Sequence, residues 1–277
     1  MLNAISIDLE DWFCVYNFST VIKKEDWNEF EYRVEKNTKR MLDILDKFDT
    51  KATFFVLGWI ANKSPELIKE IEQRGHEIAS HGYSHSLITT ITPEEFELDL
   101  KKGLEAIRSS GVTQEIIGFR APSFTIVEKT KWTLIILEKN NFKYDSSVFP
   151  VSFHPDYGIG NAPLNPYKIT KGILEFPMSV GSLLGRKIPF SGGGYFRLLP
   201  YFITKHLFRQ VNNEGRPVIF YLHPWEIDPG QPRLKFPPLK KFRHYNNLEK
   251  TEKRLERLLS DFKFTTIKNL MIKWNQN

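Results

Sequence analysis

The strongest constraint on how this chain can fold is an alternation. Short apolar runs, most of them ending in an ionisable residue, are separated by stretches with helical periodicity. Asn3–Ile7, Ala52–Val56, Glu77–Ser80, Ile116–Phe119, a short run ending near Asp145, Val218–Leu222 and Phe262–Ile267 read as strands. Helical patterns lie between them, over about Asn28–Lys47, Glu128–Lys139, Pro200–Asn212 and Leu248–Ser260. Ser64-Pro65 opens a further helix, with Ser64 as N-cap and Gly75 closing it, and Thr92-Pro93-Glu94-Glu95 reads as a capping box. The Pro-, Gly- and Asn-rich stretch from Pro150 to Ser191 reads as irregular. Strands alternating with helices must run parallel and be joined by crossovers. The pattern predicts an α/β fold, a distorted (β/α) barrel of about seven parallel strands, as a single domain over residues 1–277. An open doubly wound sheet is the alternative.

In a parallel barrel the C-terminal strand ends converge on one face, where active sites are built. That rule selects Asp8, His81, Arg120, Asp145 and His223, each at or just past a predicted strand end. Asp8-Leu9-Glu10-Asp11 puts three carboxylates within four positions, a density that a divalent cation would offset. His81 and His85, spaced by four, can face one ion. Two imidazoles and one carboxylate leave a coordination position open for water, the arrangement of catalytic zinc sites. Cobalt, nickel and iron share this ligand preference. Side-chain alternation beyond the strand favours Glu10 as the carboxylate ligand, whereas a helical turn straight after Asp8 would bring Asp11 instead. Arg120 can fix and ionise a neighbouring carboxylate, Asp145 can orient an imidazole, and His223, directly after an apolar strand, suits acid–base work. Ser123 and Phe124 follow Arg120-Ala121-Pro122 in a stiffened loop. Gly193, Gly194, Tyr195 and Arg197 form a glycine-rich segment whose backbone can approach a substrate, and Trp225 sits two residues past His223.

The net charge of +6 favours anionic partners, but no dense basic helix or nucleic-acid motif is present. Arg233–His244 is the most basic stretch and reads as a solvated loop, with peripheral contact to the inner membrane surface as the functional alternative. The single cysteine, Cys14, excludes an internal disulfide and reads as a small buried apolar residue. No apolar run reaches transmembrane length and no secretory leader precedes Asp8, so a cytoplasmic location is expected.

These motifs resemble the polysaccharide deacetylase family, the NodB-homology group of carbohydrate esterases. The resemblance rests on Asp8-Leu9-Glu10-Asp11, His81-Gly82-Tyr83-Ser84-His85, Arg120-Ala121-Pro122, Asp145 and Leu222-His223, in the family's order. Asp8–Trp12, Ser191–Arg197 and His223–Glu226 further resemble a subgroup linked to exopolysaccharide biosynthesis. The resemblance implies a distorted barrel, Asp8 as base, His81 and His85 as metal ligands, Arg120 steadying the base and Asp145 tuning His223. It implies hydrolysis of an N-acetyl group on a sugar or glycan, and the absent leader with the basic Arg233–His244 stretch adds the expectation of a phosphate- or lipid-linked substrate. Two departures stand out. Leu9 occupies the place of the family's usual metal-binding Asp, so Glu10 or Asp11 must replace it. Ser123 stands where an aromatic is usual, with Phe124 next. An amidohydrolase or deformylase of small non-sugar amides, or a non-catalytic glycan-binding protein, are the competing classes.

Overall fold

The computed structural model describes residues 1–152, 157–235 and 237–276. Its framework is a curled sheet built outward from β1 (Leu2–Leu9), a strand buried along almost its whole length. β2 (Thr53–Val56), β3 (Glu77–Ser80), β4 (Gly118–Phe119) and β5 (Tyr144–Asp145) follow on one side, each parallel to the last. Beyond β5 come an antiparallel edge strand β6 (Tyr167–Lys168) and, between the two, β7 (Leu174–Glu175). A two-stranded hairpin, β8 (Val180–Leu183) with β9 (Arg186–Pro189), stands apart. On the other side of β1 lies β10 (Ile219–Leu222), and β11 (Lys263–Thr265) pairs with the N-terminal part of β1; both run parallel to it. The order is β10-β1-β2-β3-β4-β5-β7-β6, with β11 also on β1, so the half-barrel does not close by a regular ladder. Gly192, just past β9, makes an isolated parallel bridge to Tyr221 on β10. The expected parallel α/β barrel is therefore present as a distorted, open one.

The crossovers are helical: α1 (Val34–Lys47), α2 (Gly58–Lys63), α3 (Pro65–Gln73), α4 (Pro93–Ser109), α5 (Trp132–Lys139), α6 (Gly193–Leu198), α7 (Tyr201–Asn213), α8 (Pro238–Tyr245) and α9 (Leu248–Asp261), and α10 (Ile267–Trp274) follows the last strand. The capping box at Thr92 is present in both directions, Glu95 N donating to Thr92 Oγ1 and Thr92 N to Glu95. Ser64 does not cap α3 with its side chain; its hydroxyl donates to Glu35 instead. α1 starts at Val34 rather than Asn28, because residues 24–29 form a separate 3-10 turn. The 150–191 stretch, expected to be irregular, holds the short strands β6 to β9, and the expected basic loop contains α8. Apolar side chains of the helices cover the outer face of the sheet, and the main core cluster runs from Ile5 to Phe264. Cys14 is buried. No helix among the described residues is long and apolar enough to cross a membrane.

Candidate active site

β1, β3, β4 and β10 deliver their terminal side chains to one end of the sheet. Asp8 sits near the end of β1, and its Oδ1 accepts from Arg120 Nη1 at 2.6 Å. Arg120 follows β4 and is fully buried. Its guanidinium also donates to Ser6 Oγ, Ser146 O and Ser146 Oγ, and lies 4.1 Å over the Phe55 ring. A buried guanidinium with this many acceptors has one available orientation, so it fixes Asp8 as well as balancing its charge.

Glu10 lies two residues further on. Its Oε1 is 3.0 Å from both His81 Nε2 and His85 Nε2, and 3.9 Å from His223 Nε2. His81 Nδ1 donates to the Arg120 carbonyl at 2.7 Å, since a carbonyl can only accept. A neutral His81 then turns a lone pair, not a proton, toward the Glu10 carboxylate. Glu10 Oε2 is buried with no hydrogen-bond partner among the described residues. Two ring nitrogens and a carboxylate converging in this way form an unstable arrangement unless a cation, or a proton on each ring, lies among them. The donor set, two imidazoles and a carboxylate, fits a zinc-type divalent ion. Burial alone would raise the Glu10 carboxyl, but the His85, His81 and His223 rings outweigh it and hold it well below the usual range.

The loop carrying the histidines is shaped by close packing. Gly82 and His85 both have left-handed backbones, at φ 72° and 53°. Asp99 on α4 accepts from the backbone N–H groups of Tyr83 and Ser84, at 2.7 and 3.1 Å, tying the loop to that helix.

Asp11 is not part of the cluster. Its Oδ1 accepts from Trp12 N, and its Oδ2 accepts from Arg33 N and Val34 N, at 2.7 and 2.9 Å. It satisfies the free N–H groups at the start of α1, a structural task that turns it away from the histidines. Asp145 is also displaced from its expected role. It accepts from Ser147 Oγ at 2.6 Å, and that hydroxyl accepts from Ala121 N, so Asp145 braces the loop after Arg120. Burial raises its carboxyl, and burial with the charge of Asp145 raises Glu175 well above the usual range.

The partner at His223 is Glu226, which the sequence reading did not select. His223 Nδ1 lies 2.7 Å from Glu226 Oε1, within the 3-10 turn Pro224–Ile227. Glu226 Oε2 accepts from Arg197 Nε at 2.7 Å. Arg197 in turn donates to the carbonyls of His244, Asn246 and Arg243. A Cβ on Gly193 would fall 1.8 Å from Glu226 Oε1, so the glycine makes room for the carboxylate. The Trp225 ring stacks on His223, centroids 5.1 Å apart. Burial opposes a charge on His223, but the bond to Glu226 and the charges of Glu10, Glu226 and Asp8 push its pKa up to about 9. The signal available in the sequence was the Glu three positions after His223, the spacing of one tight turn.

A cavity of about 550 Å³ opens over these groups, within the roughly 300–1,000 Å³ of small-molecule sites. Asp8, Glu10, His85, Ser123, Phe124, Gly194, Tyr195, Arg197, His223 and Trp225 all reach its wall. Gly193 lies behind Glu226 rather than on that wall. Tyr16, Tyr157 and Tyr221 add aromatic surface that strand-end logic did not reveal. Ser123 and Phe124 have left-handed backbones, φ 52° and 56°, unusual for side-chain-bearing residues and a local strain beside the site.

Residues 22–142 match the family model described as polysaccharide deacetylase. Residues 146–272 match a domain of unknown function, DUF3473. Asp8 and Glu10 precede the first match, His81, His85 and Arg120 lie inside it, and His223, Glu226 and Arg197 come from the second. The chain is 36% identical over 97 residues to a peptidoglycan-N-acetylglucosamine deacetylase of Bacillus cereus, covering 34% of each chain. It is 28% identical over 124 residues to the peptidoglycan-N-acetylmuramic acid deacetylase PdaA of Bacillus subtilis, covering 45% of each. A chitooligosaccharide deacetylase of Rhizobium leguminosarum bv. trifolii is 36% identical over 73 residues, 26% of this chain and 34% of the relative. The chain thus spans less than half the length of these relatives. Among solved structures, a Mycobacterium smegmatis protein assigned as a polysaccharide deacetylase superposes with a TM-score of 0.62 at 21% identity, over 97% of this chain and 88% of that one. A family 4 carbohydrate esterase pseudoenzyme of Bacillus anthracis superposes with a TM-score of 0.52 at 14% identity, over 97% and 64%. The fold is therefore shared with these structures, one of them a pseudoenzyme, so activity must be argued from the side chains.

Proposed function

We propose that this chain is a metal-dependent N-deacetylase that hydrolyses the acetamide of an amino sugar in a glycan or glycan precursor, with residues 1–277 acting as one catalytic unit. The observation that carries the reading is the convergence of Glu10, His81 and His85 between Asp8 on one side and His223 on the other. A divalent cation held by Glu10, His81 and His85, zinc by preference of the donor set, would supply Lewis-acid polarisation of the acetyl carbonyl and acidify water. Asp8, held in place by Arg120, takes the proton of the attacking water. The backbone N–H of Ser123 is the candidate donor to the tetrahedral oxyanion. His223, kept protonated by its carboxylate neighbours, donates to the departing amine, which leaves poorly without a proton. Acetate and a free amino sugar result. The aromatic wall of Tyr16, Tyr157, Tyr195 and Trp225 favours a sugar ring over a small linear amide. The similarity of Ser191–Arg197 and His223–Glu226 to the exopolysaccharide-linked subgroup supports a glycan made for export.

The test is acetate release from a panel of N-acetyl sugars and oligosaccharides, with metal content measured on the same protein. Release that is lost on chelation and restored by zinc, cobalt or nickel supports the reading. A chain that binds metal stoichiometrically yet releases acetate only from small non-sugar amides would be an amidohydrolase instead. One that releases none at all would be a binding protein.

A further inference from the structure

The rim of the cavity carries a feature that the chemistry does not use. α8 is amphipathic: His244 and Tyr245 are buried, while Leu239 and Phe242, three positions apart on one face, are 62% and 51% exposed. Phe242 and Arg243 line the cavity wall together with Leu198 and Tyr16, which are 50% and 40% exposed. The twenty residues 229–248 that contain α8 include Arg233, Lys235, Lys240, Lys241 and Arg243, and no Asp or Glu. Arg233, Lys235, Lys241 and Arg243 are exposed. Exposed aliphatic and aromatic side chains beside a purely cationic surface make up the composition of helices that lie in a membrane interface.

We propose that α8 and the cavity rim dock on the surface of an anionic lipid bilayer. The deacetylation reading is thereby deepened, and the inference rests on it: the substrate is an N-acetyl sugar carried on a lipid, presented to the cavity from the bilayer. The charge selects an anionic partner. The leucines narrow the choice further. Aromatic rings stack on sugars, but exposed Leu198 and Leu239 gain nothing from a hydrated acidic glycan and gain apolar burial in the acyl boundary. The helix is short and the apolar area small, so attachment is peripheral and reversible, and salt weakens it.

The experiment is flotation of the whole chain with vesicles of phosphatidylcholine alone or mixed with phosphatidylglycerol, at low and high salt. Wild type is expected to float only with the anionic vesicles, and less at high salt. Lys235→Gln/Lys241→Gln should weaken partitioning about 30-fold, from roughly 1 kcal/mol per basic residue at such a surface. Leu239→Ser should weaken it several-fold even at low salt. All three residues lie outside the cavity wall, so acetate release from a soluble N-acetyl oligosaccharide should not change in these variants, while release from a lipid-anchored substrate in anionic vesicles should fall with their binding. No flotation, equal flotation with neutral vesicles, or variants that float like wild type would each overturn the docking surface. Stronger binding to a soluble acidic polysaccharide, able to strip the protein from vesicles, would also overturn it. Failure of acetate release from every soluble and lipid-anchored substrate, with vesicle binding intact, would count against the deacetylase reading rather than the docking surface.

Discussion

At the scale of single residues, the cluster separates two neighbouring carboxylates. Glu10 meets both histidines, and Asp11 spends its oxygens on backbone N–H groups at the start of α1. Glu10→Gln is expected to lose metal affinity with little change in fold, whereas Asp11→Asn should keep the metal and lose about 1 kcal/mol of stability, the typical worth of a capping group. Titration with zinc and thermal denaturation of both variants would check this; a metal loss confined to Asp11→Asn would reverse the assignment. Asp8→Asn and His223→Ala should each lower kcat about 10²-fold or more while retaining metal, as general acid–base groups do. Near-normal turnover in either variant would remove that residue from the mechanism. If His223 is the acid proposed above, Glu226 gives it a pH signature. His223 must be protonated to act as an acid, and Glu226, Glu10 and Asp8 raise its pKa to about 9. Activity should therefore persist until pH rises through that value. In Glu226→Gln, with one raising charge removed, the alkaline limb should move to lower pH. The same sign holds for stability: a raised histidine stabilises the fold below its unfolded pKa of about 6.5, and this is lost as pH rises through the folded value. An alkaline limb that stays in place in Glu226→Gln would show that another group sets it.

At the scale of elements, the glycine-rich segment and the His223 turn are one device. Gly193 opens α6, Arg197 lies one turn later, and both converge on Glu226. Gly193→Ala would place a methyl group where the carboxylate stands, so Glu226 must swing away from His223. The expected result is a kcat loss of about tenfold or more with substrate KM and metal content little changed, since the altered group positions the acid. Rates, KM and bound zinc measured on the variant would check it, and a loss expressed only in KM would mean the glycine serves substrate access instead. This device was only partly legible in the sequence. Hydrophobic runs announced β1, β2, β3 and β10, and with them Asp8, His81 and His223, because a buried strand needs an unbroken apolar stretch. β6 to β9 are two to four residues long and rich in residues that also form loops, so periodicity had nothing to act on. α8 was hidden by its two leading prolines and dense lysines, which read equally well as a solvated loop. The Glu226 contact depends on a tight turn and on Arg197, 29 positions upstream, and no local pattern reports such a pairing. Asp145 was chosen by its strand end, but its Oδ1 is taken by the Ser147 hydroxyl, which ties it to the loop after Arg120 rather than to a histidine.

At the scale of the whole molecule, the site is assembled across the boundary between the two family matches. β1 lies between β2 and β10, so the strand that carries Asp8 is hydrogen-bonded to the first half on one side and to the second half on the other. Ser6 pairs with Tyr221 and Ile7 with Leu222, the register that sets His223 beside Asp8 and Glu10. β5 and β7 continue the same sheet past residue 145, and the core cluster draws on both halves. Neither half can therefore keep its buried face without the other, and the chain should unfold as one unit despite its two family matches. Chemical denaturation followed by tryptophan fluorescence and by far-ultraviolet circular dichroism is expected to give one coincident transition. Zinc should move that whole transition upward, because an ion bound only by the native cluster stabilises everything that unfolds with it, by about 4 kcal/mol at a thousand times its Kd. His81→Ala/His85→Ala should abolish the zinc-dependent shift and leave a single transition in place. Two separate transitions, with zinc moving only one, would show that the matches are independent domains and that the sheet joining them is not the cooperative core inferred from the pairing of β1 with β10.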